Sequence, residues 1–265
     1  MKVAILGSNG FVGKSLCKLL DNKFQIIPVN RQTLDLTNYL QVDNWLKTVQ
    51  PDVVVNCASQ GGKQALSKKE INYNEFQNNL AIFLNFYNSN HTKKFINIGS
   101  GAEFDLSNNI DNYDESKILD AIPIDSYSYS KNVIARMILD KPNFYTIRLF
   151  GCFGNLEDDF RLLKKVSQVP KLDLVDRYFD YISVSDLAII LENYIVHEKL
   201  PKDINCVYKN KLKLSYVVNL FKQYHRLNTI IEIIETSKKN YTGSSTKLDN
   251  LGIFLEGLES GIAQY

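Results

Sequence analysis

The sequence predicts a doubly wound, parallel α/β sheet with a small C-terminal α/β portion. Three observations carry this. Short apolar runs alternate with longer stretches of helical spacing as far as Phe150, the signature of βαβ units. The runs are apolar on both sides, as in strands covered by helices on both faces. The first run stops at a glycine and leads through further glycines straight into an amphipathic helix.

The elements follow in order. Lys2 to Leu6 is a strand ending at Gly7, and Phe11 to Leu20 places Phe11, Val12, Leu16, Leu19 and Leu20 at helical spacing. Phe24 to Val29 is a second strand, and Tyr39 to Val49 a helix closed by Pro51. Val53 to Asn56 is a third strand, Ile71 to Ser89 a long helix, and Phe95 to Gly99 a fourth strand. Ser126 to Leu139 is a helix with Asp125 or Ser126 as N-cap, followed by a strand at Phe144 to Leu149. Beyond Phe150 the pattern loosens. Helical stretches are expected at Asp159–Gln168, Ser185–Lys199 and Leu214–Tyr224, and strands at Ile204–Tyr208 and Thr229–Ile234.

Of 265 residues, 45% are hydrophobic and 23% charged, which argues for a globular chain and against disorder. The formal net charge of +2 gives no reason to expect nucleic acid. Pairs such as Lys68-Lys69, Lys93-Lys94 and Lys164-Lys165 read as solvated faces. Cys17, Cys57, Cys152 and Cys206 form no C-x-x-C pair, and His91, His197 and His225 are isolated, so neither a metal site nor a disulfide framework is expected. With Met1 to Gly7 already a strand and no apolar run long enough to span a bilayer, a cytoplasmic protein without membrane contact is expected.

Gly7-Ser-Asn9-Gly10-Phe11-Val12-Gly13 joins the first strand to the first helix. The first glycine permits the turn, the second allows close approach of backbone N–H groups to a pyrophosphate, and the third lets helix and strand pack closely. The positive end of the helix then faces the phosphates. At the end of the second strand an NAD site usually places an acid for the ribose hydroxyls. Here Asn30-Arg31 stands instead. A cation without a repelling carboxylate favours NADP over NAD, unless Arg31 is only a solvated loop residue. Asp35-Leu36-Thr37 borders the adenine or is simply a turn, and small residues at Cys57-Ala58-Ser59 either pass the dinucleotide or fill the core.

Tyr127-Ser-Tyr-Ser-Lys131 puts Tyr127 and Lys131 on one helix face and Tyr129 on another. An ammonium beside a phenol favours the phenolate, bringing proton exchange closer to neutral pH. Ser100 ends the fourth strand, where such sheets gather active-site groups, and can bond the reacting oxygen alongside Tyr127.

Together these residues resemble the extended short-chain dehydrogenase/reductase family, in its sugar-nucleotide epimerase, dehydratase and reductase branch. The matching motifs are Gly7/Gly10/Gly13, Ser100, Tyr127 and Lys131 in the family order. Asn78-Asn79-Leu80, Arg148-Leu-Phe-Gly151-Cys-Phe-Gly154, Phe179-Asp-Tyr-Ile-Ser-Val-Ser-Asp186 and Thr246-Lys-Leu-Asp-Asn-Leu-Gly252 match further family segments. The resemblance spans nearly the whole chain. It implies a Rossmann domain at 1–152 and a smaller substrate portion at 153–265, with segments near 182–203 returning to the sheet. It also implies a bound nicotinamide cofactor, a nucleoside-diphosphate sugar and a homodimer through the helices at Ile71–Ser89 and Ser126–Leu139. Tyr127 would be the acid/base, Lys131 would hold the nicotinamide ribose and tune Tyr127, and Ser100 would orient the substrate oxygen.

Departures from the family narrow the reaction. Dehydratases of the family carry Asp-Glu after the catalytic serine or threonine, where this chain has Gly101-Ala102, and epimerase-reductases carry a cysteine where it has Ala102. Hydride transfer at a hydroxyl or keto carbon remains. The stretch Asn30 to Leu36 and Gly61-Gly62 resemble the 4-keto-6-deoxysugar reductases, so an NADPH-dependent reductase is expected. An NAD-dependent 4-epimerase and a non-catalytic dinucleotide-binding regulator are the alternatives. Ser100, Gly101, Phe153, Arg161 and Arg177 are the candidate substrate contacts, either arginine being able to hold the diphosphate as a bidentate donor.

Overall fold

The structure is a computed structural model and describes residues 1–61, 73–234 and 239–265. Gly62, Lys68-Lys69 and the expected helix start at Ile71 lie outside the described residues.

The first half of the chain alternates strand and helix: β1 (Lys2–Leu6), α1 (Phe11–Leu20), β2 (Gln25–Val29), α2 (Tyr39–Val49), β3 (Val53–Asn56), α3 (Tyr73–Tyr87) and β4 (Phe95–Ser100). A 3₁₀ turn at Gly101–Phe104, β5 (Ile110–Tyr113) and a second 3₁₀ turn at Glu115–Leu119 lead to α4 (Ser126–Leu139) and β6 (Phe144–Leu149). The remainder comprises β7 (Cys152–Phe153), α5 (Leu162–Gln168), β8 (Lys171–Leu174), β9 (Ile182–Ser183), α6 (Val184–Val196), β10 (Asp203–Cys206), α7 (Leu214–His225), β11 (Ile230–Ile233), β12 (Tyr241–Gly243), α8 (Thr246–Asp249) and α9 (Leu258–Ala263).

Six strands form one parallel sheet in the order β10-β6-β4-β3-β1-β2. Pro28 sits in β2, at the sheet edge, where its missing N–H leaves no ladder bond unmade. One face carries Val3, Ile5, Val53 and Val55 against residues of α1 and α6. The other carries Ala4, Leu6, Val54, Phe95 and Phe144 against α2, α3 and α4. Both faces are thus buried, which explains the unbroken apolar runs. The order in which strands are added reverses between β1 and β3, so the loops after Leu6 and Asn56 flank the crevice where ligands of such sheets collect.

Outside the central sheet the described residues form three smaller strand pairs. Pairs β8–β11, β5–β12 and β7–β9 are two-stranded and parallel. A separate apolar cluster includes Phe153, Leu163, Val166, Val217, Phe221 and Ile262. Helix α5 begins at Leu162 rather than Asp159, because Glu157 is buried and accepts from Arg161 Nε (3.2 Å) and Lys164 N (3.2 Å), which organises 157–161 as turns. Asp186, fully buried at the start of α6, accepts from Glu256 N (2.7 Å) and Gly257 N (3.1 Å) and so ties down the C-terminal tail.

Candidate active site

The loop after β1 is built around close backbone contact. Gly7 has φ +74°, and a Cβ there would lie 2.8 Å from Ala58 N, so the loops after β1 and β3 touch at the switch point. A Cβ on Gly13 would lie 2.4 Å from Gly7 O, which is why α1 can start directly beneath the turn. Around Gly10, by contrast, a Cβ would meet only Gly7 O at 3.5 Å. Gly10 caps α1 without any side-chain bond, and the first turn carries no acid. The N–H groups of Phe11, Val12 and Gly13 are therefore left open to an anion. Asn9 is exposed beside them. These residues fit a dinucleotide pyrophosphate.

Ser8 N donates to Val29 O (3.1 Å), bringing this loop against the end of β2. There the Asn30–Thr33 turn is closed by its own side chains, through Asn30 N to Thr33 Oγ1 (2.9 Å) and Gln32 N to Asn30 Oδ1 (2.9 Å). Arg31 projects exposed from this turn, with no ion-pair partner among the described residues. Asp35 gives its carboxylate to Thr37 N (3.0 Å) and Thr37 Oγ1 (2.7 Å), as a turn residue. Leu36 is buried, and its carbonyl accepts from Asn85 Nδ2 (2.8 Å). Cys57 and Ser59 line the exit of β3; burial pushes the Cys57 thiol up to about 12. Asn79 clamps this exit. Its Oδ1 accepts from Gln60 N (2.7 Å), while Nδ2 donates to Gln60 O (3.1 Å) and to Ser130 Oγ (3.0 Å) on α4. The sequence marks Asn79 only by resemblance; its clamping role needs the packing of α3 on α4.

Helix α4 is capped by Asp125, whose carboxylate accepts from Ser128 N (2.9 Å). Tyr127 and Lys131 face inward, whereas Tyr129 is exposed and stacks on Phe76 (5.3 Å between centroids). Lys131 is buried and donates from Nζ to Ile98 O (3.0 Å). Burial draws its pKa down, partly countered by Glu103. Burial, opposed by the hydrogen bond to Ser100, pushes the Tyr127 phenol up to about 12. The downward pull of Lys131 on Tyr127 expected from the spacing is therefore not what governs the phenol. Desolvation wins, and the ammonium is committed to a backbone carbonyl.

Ser100 ends β4 and caps the following 3₁₀ turn. Its hydroxyl accepts from Ala102 N (3.2 Å), and Glu103 Oε1 accepts from Ser100 N (2.8 Å), a reciprocal capping box. Glu103 is fully buried and directed away from the cavity, onto Arg148 Nε (2.6 Å). Arg148, also fully buried, continues to Asn205 Oδ1 (3.1 Å) and Asp203 Oδ2 (3.2 Å) and lies over the Phe104 ring (4.7 Å).

Ser100 and Tyr127 open into a cavity of about 560 Å³. Its walls include Ala102, Leu106, Ile110, Phe150 and Phe179, with Arg161, Arg177 and Lys239 as its cations, and among the described residues it contains no Asp, Glu, His or Cys. Arg161 is held by Glu157 and by the Cys152 carbonyl, over the Phe11 ring (5.2 Å). Among the described residues the Arg177 guanidinium donates to Lys239 O (3.2 Å) and lies over the Phe179 ring (5.1 Å). Gly101 is buried at the cavity edge, its Cβ space filled by the Phe150 ring (2.6 Å) and Tyr241 Oη (2.7 Å). Phe153, expected as a substrate contact, is instead fully buried against Tyr181 (5.1 Å) in the second core, since β7 turns that side chain away from the cavity. Tyr241, Lys239 and Asn108 line the cavity without having been singled out by the sequence.

A glycine turn on a helix N-terminus, followed by Ser, Tyr and Lys at the ends of β4 and α4, defines a nicotinamide-dependent enzyme of the short-chain dehydrogenase/reductase type. The chain belongs to the NAD dependent epimerase/dehydratase family, whose sequence profile matches residues 3–206. Comparison with curated protein sequences gave no significant match. Among solved structures, a dTDP-4-dehydrorhamnose reductase from Clostridium acetobutylicum superposes with TM-score 0.83 at 19% identity, over 100% of this chain and 98% of that one. A GDP-mannoheptose C4 reductase from Campylobacter jejuni with NADP bound gives 0.79 at 21% identity, over 99% and 96%. A dTDP-glucose 4,6-dehydratase from Bacillus anthracis in complex with NAD gives 0.79 at 13% identity, over 100% and 94%. The same fold thus serves reductases and a dehydratase, and the site has to separate them.

Proposed function

We propose that the protein reduces a nucleotide-linked 4-keto-6-deoxyhexose to the 4-hydroxy sugar with NADPH. The observation that carries this is the cavity lining. Two hydroxyls converge at Ser100 and Tyr127, and among the described residues no carboxylate, imidazole or thiol lines the cavity to take a proton from carbon. Elimination of water and epimerisation through a carbanion both need such a base. Reduction needs only a polarised carbonyl and a proton donor.

Gly7, Gly10, Gly13 and the first turn of α1 would hold the pyrophosphate, Arg31 the 2′-phosphate, and Lys131 the nicotinamide ribose. The nucleotide supplies the hydride when bound. Tyr127, kept protonated by burial, donates its proton to the oxygen that becomes the new hydroxyl. Ser100 holds that oxygen from the side. Ala102, Leu106, Ile110 and Phe150 line the same cavity as these hydroxyls, an apolar wall suited to a deoxygenated carbon. Arg177, free of any carboxylate among the described residues, is better placed than Arg161 to take the diphosphate. The exposed Tyr73, Ile122, Ile124 and Tyr129 around α3 and α4 support a homodimer through those helices.

Tyr127→Phe tests the assignment. It should leave NADPH titration unchanged and cut turnover by about 10²–10⁴-fold, the usual loss of a general acid. Turnover surviving the change would remove Tyr127 from the chemistry. NAD retained after purification and released on denaturation would favour a 4-epimerase that recycles its hydride.

A further inference from the structure

Ser100 and Tyr127 come from different elements. Ser100 ends β4, and Tyr127 lies in the first turn of α4. The chain between them runs through β5 and the second 3₁₀ turn, so the covalent connection does not set their spacing. Two groups that act on one atom have to be held to within about 0.5 Å. A contact must therefore lock the Ser100 turn onto the helix.

Asn132 makes that contact. It is 2% exposed and lies about 7.5 Å further along the helix axis than Tyr127. Its Nδ2 donates to Glu103 O (2.8 Å) and also reaches Ala121 O (3.2 Å) and Ile118 O (3.4 Å). With the amide turned over, its oxygen would face three carbonyls, so the donor end is the one that points there. Glu103 is thus gripped at both ends. Its carboxylate binds Ser100 N and Arg148 on β6, and its carbonyl binds α4. The Ser100 hydroxyl accepts from Ala102 N inside the same turn, so it moves with that turn. Lys131 also joins α4 to β4, at Ile98 O (3.0 Å), but that ammonium is assigned to the nicotinamide ribose as well. Asn132 lines no part of the cavity, and its buried amide has the neighbouring turns to hold.

We propose that Asn132 is a positioning residue for the reaction: by binding Glu103 O it sets the spacing between the Ser100 and Tyr127 hydroxyls. This rests on the reading of Ser100 and Tyr127 as the groups that meet the substrate oxygen. The effect belongs in kcat rather than KM, because a misplaced pair of reacting groups costs most in the transition state while the rest of the substrate is gripped elsewhere.

Asn132→Ala removes the donor and opens space in which water can serve the three carbonyls. Expected are a kcat lower by about ten- to a hundredfold, an unchanged KM and an unchanged Kd for NADPH. Arg136→Met controls for general loosening. Arg136 Nη2 donates to Ala121 O, so this change releases the second 3₁₀ turn without touching Glu103, and it should leave kcat unchanged. An unchanged kcat in Asn132→Ala, or an equal loss in Arg136→Met, overturns the proposal. Should the wild type turn over none of the 4-ketosugars tried, the reaction assigned above falls, and crystal structures of wild type and Asn132→Ala decide the positioning role separately. A separation of Ser100 Oγ and Tyr127 Oη that changes by about 1 Å in the variant upholds it, and an unchanged separation overturns it. If Asn132→Ala does not fold, Asn132→Ser, whose hydroxyl can still serve one carbonyl, replaces it in both experiments. A wild-type crystal structure in which Asn132 Nδ2 does not reach Glu103 O overturns the proposal whatever the variants do.

Discussion

Replacing Glu103 by Gln removes a carboxylate that does two things. It accepts Ser100 N at 2.8 Å and neutralises Arg148 at 2.6 Å, with both charged side chains at 0% exposure. Losing one partner of a buried pair typically costs about 3–5 kcal/mol, because the other charge stays behind without compensation. Arg148 keeps Asp203 and Asn205, so the low end, about 3 kcal/mol, applies here. For a chain of this length that corresponds to a fall of about 5 °C in Tm. Thermal unfolding followed by circular dichroism measures it. Arg148→Met should be destabilising as well, but the double variant should be more stable than the sum of the two, because no orphaned charge remains. Turnover should fall in Glu103→Gln beyond any loss of folded protein, since a single amide oxygen cannot hold Ser100 N and Arg148 Nε from opposite ends as the two carboxylate oxygens do. A Tm within 1 °C of wild type (less than about 0.5 kcal/mol), or strictly additive singles, would refute the pairing argument.

Two further perturbations probe the cofactor end and the C-terminal anchor. Arg31→Ala should weaken NADPH binding by about tenfold, one charge-assisted contact, and leave NADH binding unchanged; equal effects on both, read by fluorescence titration, would place Arg31 outside the site. Asp180 is buried, bonds Lys211 Nζ (2.9 Å) and Gly243 N (2.7 Å), and burial pushes its carboxyl up to about 6. A carboxyl that binds its proton more tightly folded than unfolded contributes stability that is full below the ordinary carboxylate pKa and is lost as pH rises through about 6. Urea unfolding across that window should show wild type losing on the order of 2–3 kcal/mol that Asp180→Asn does not lose. Parallel pH profiles would contradict it.

Much of this was readable from local pattern. The β1–Gly7–α1 turn, the alternation as far as β6, the Asp125 cap and the shared face of Tyr127 and Lys131 all depend on residues a few positions apart. What escaped depends on distance. Tyr241 reaches the cavity that Ser100 lines only because β12 pairs with β5, and nothing in its local sequence signals that. Glu103 lies close to Ser100 in sequence, but its partner Arg148 comes from β6 and is revealed only by the β4–β6 register. Phe153 follows a glycine loop that does reach the cavity, yet the two-residue strand β7 points it the other way, and a strand that short gives no periodicity to read. Spacing reveals the ammonium near Tyr127 but not the burial that pushes its phenol up.

The most direct test mixes the purified protein with NADPH and a set of nucleotide-linked 4-keto-6-deoxyhexoses, following loss of the reduced nicotinamide absorbance and the mass of the sugar product. The account predicts stoichiometric NADPH consumption with at least one of them and a product heavier by two hydrogens, abolished in Tyr127→Phe. Interconversion of two nucleotide sugars with no net consumption of NADPH would contradict it.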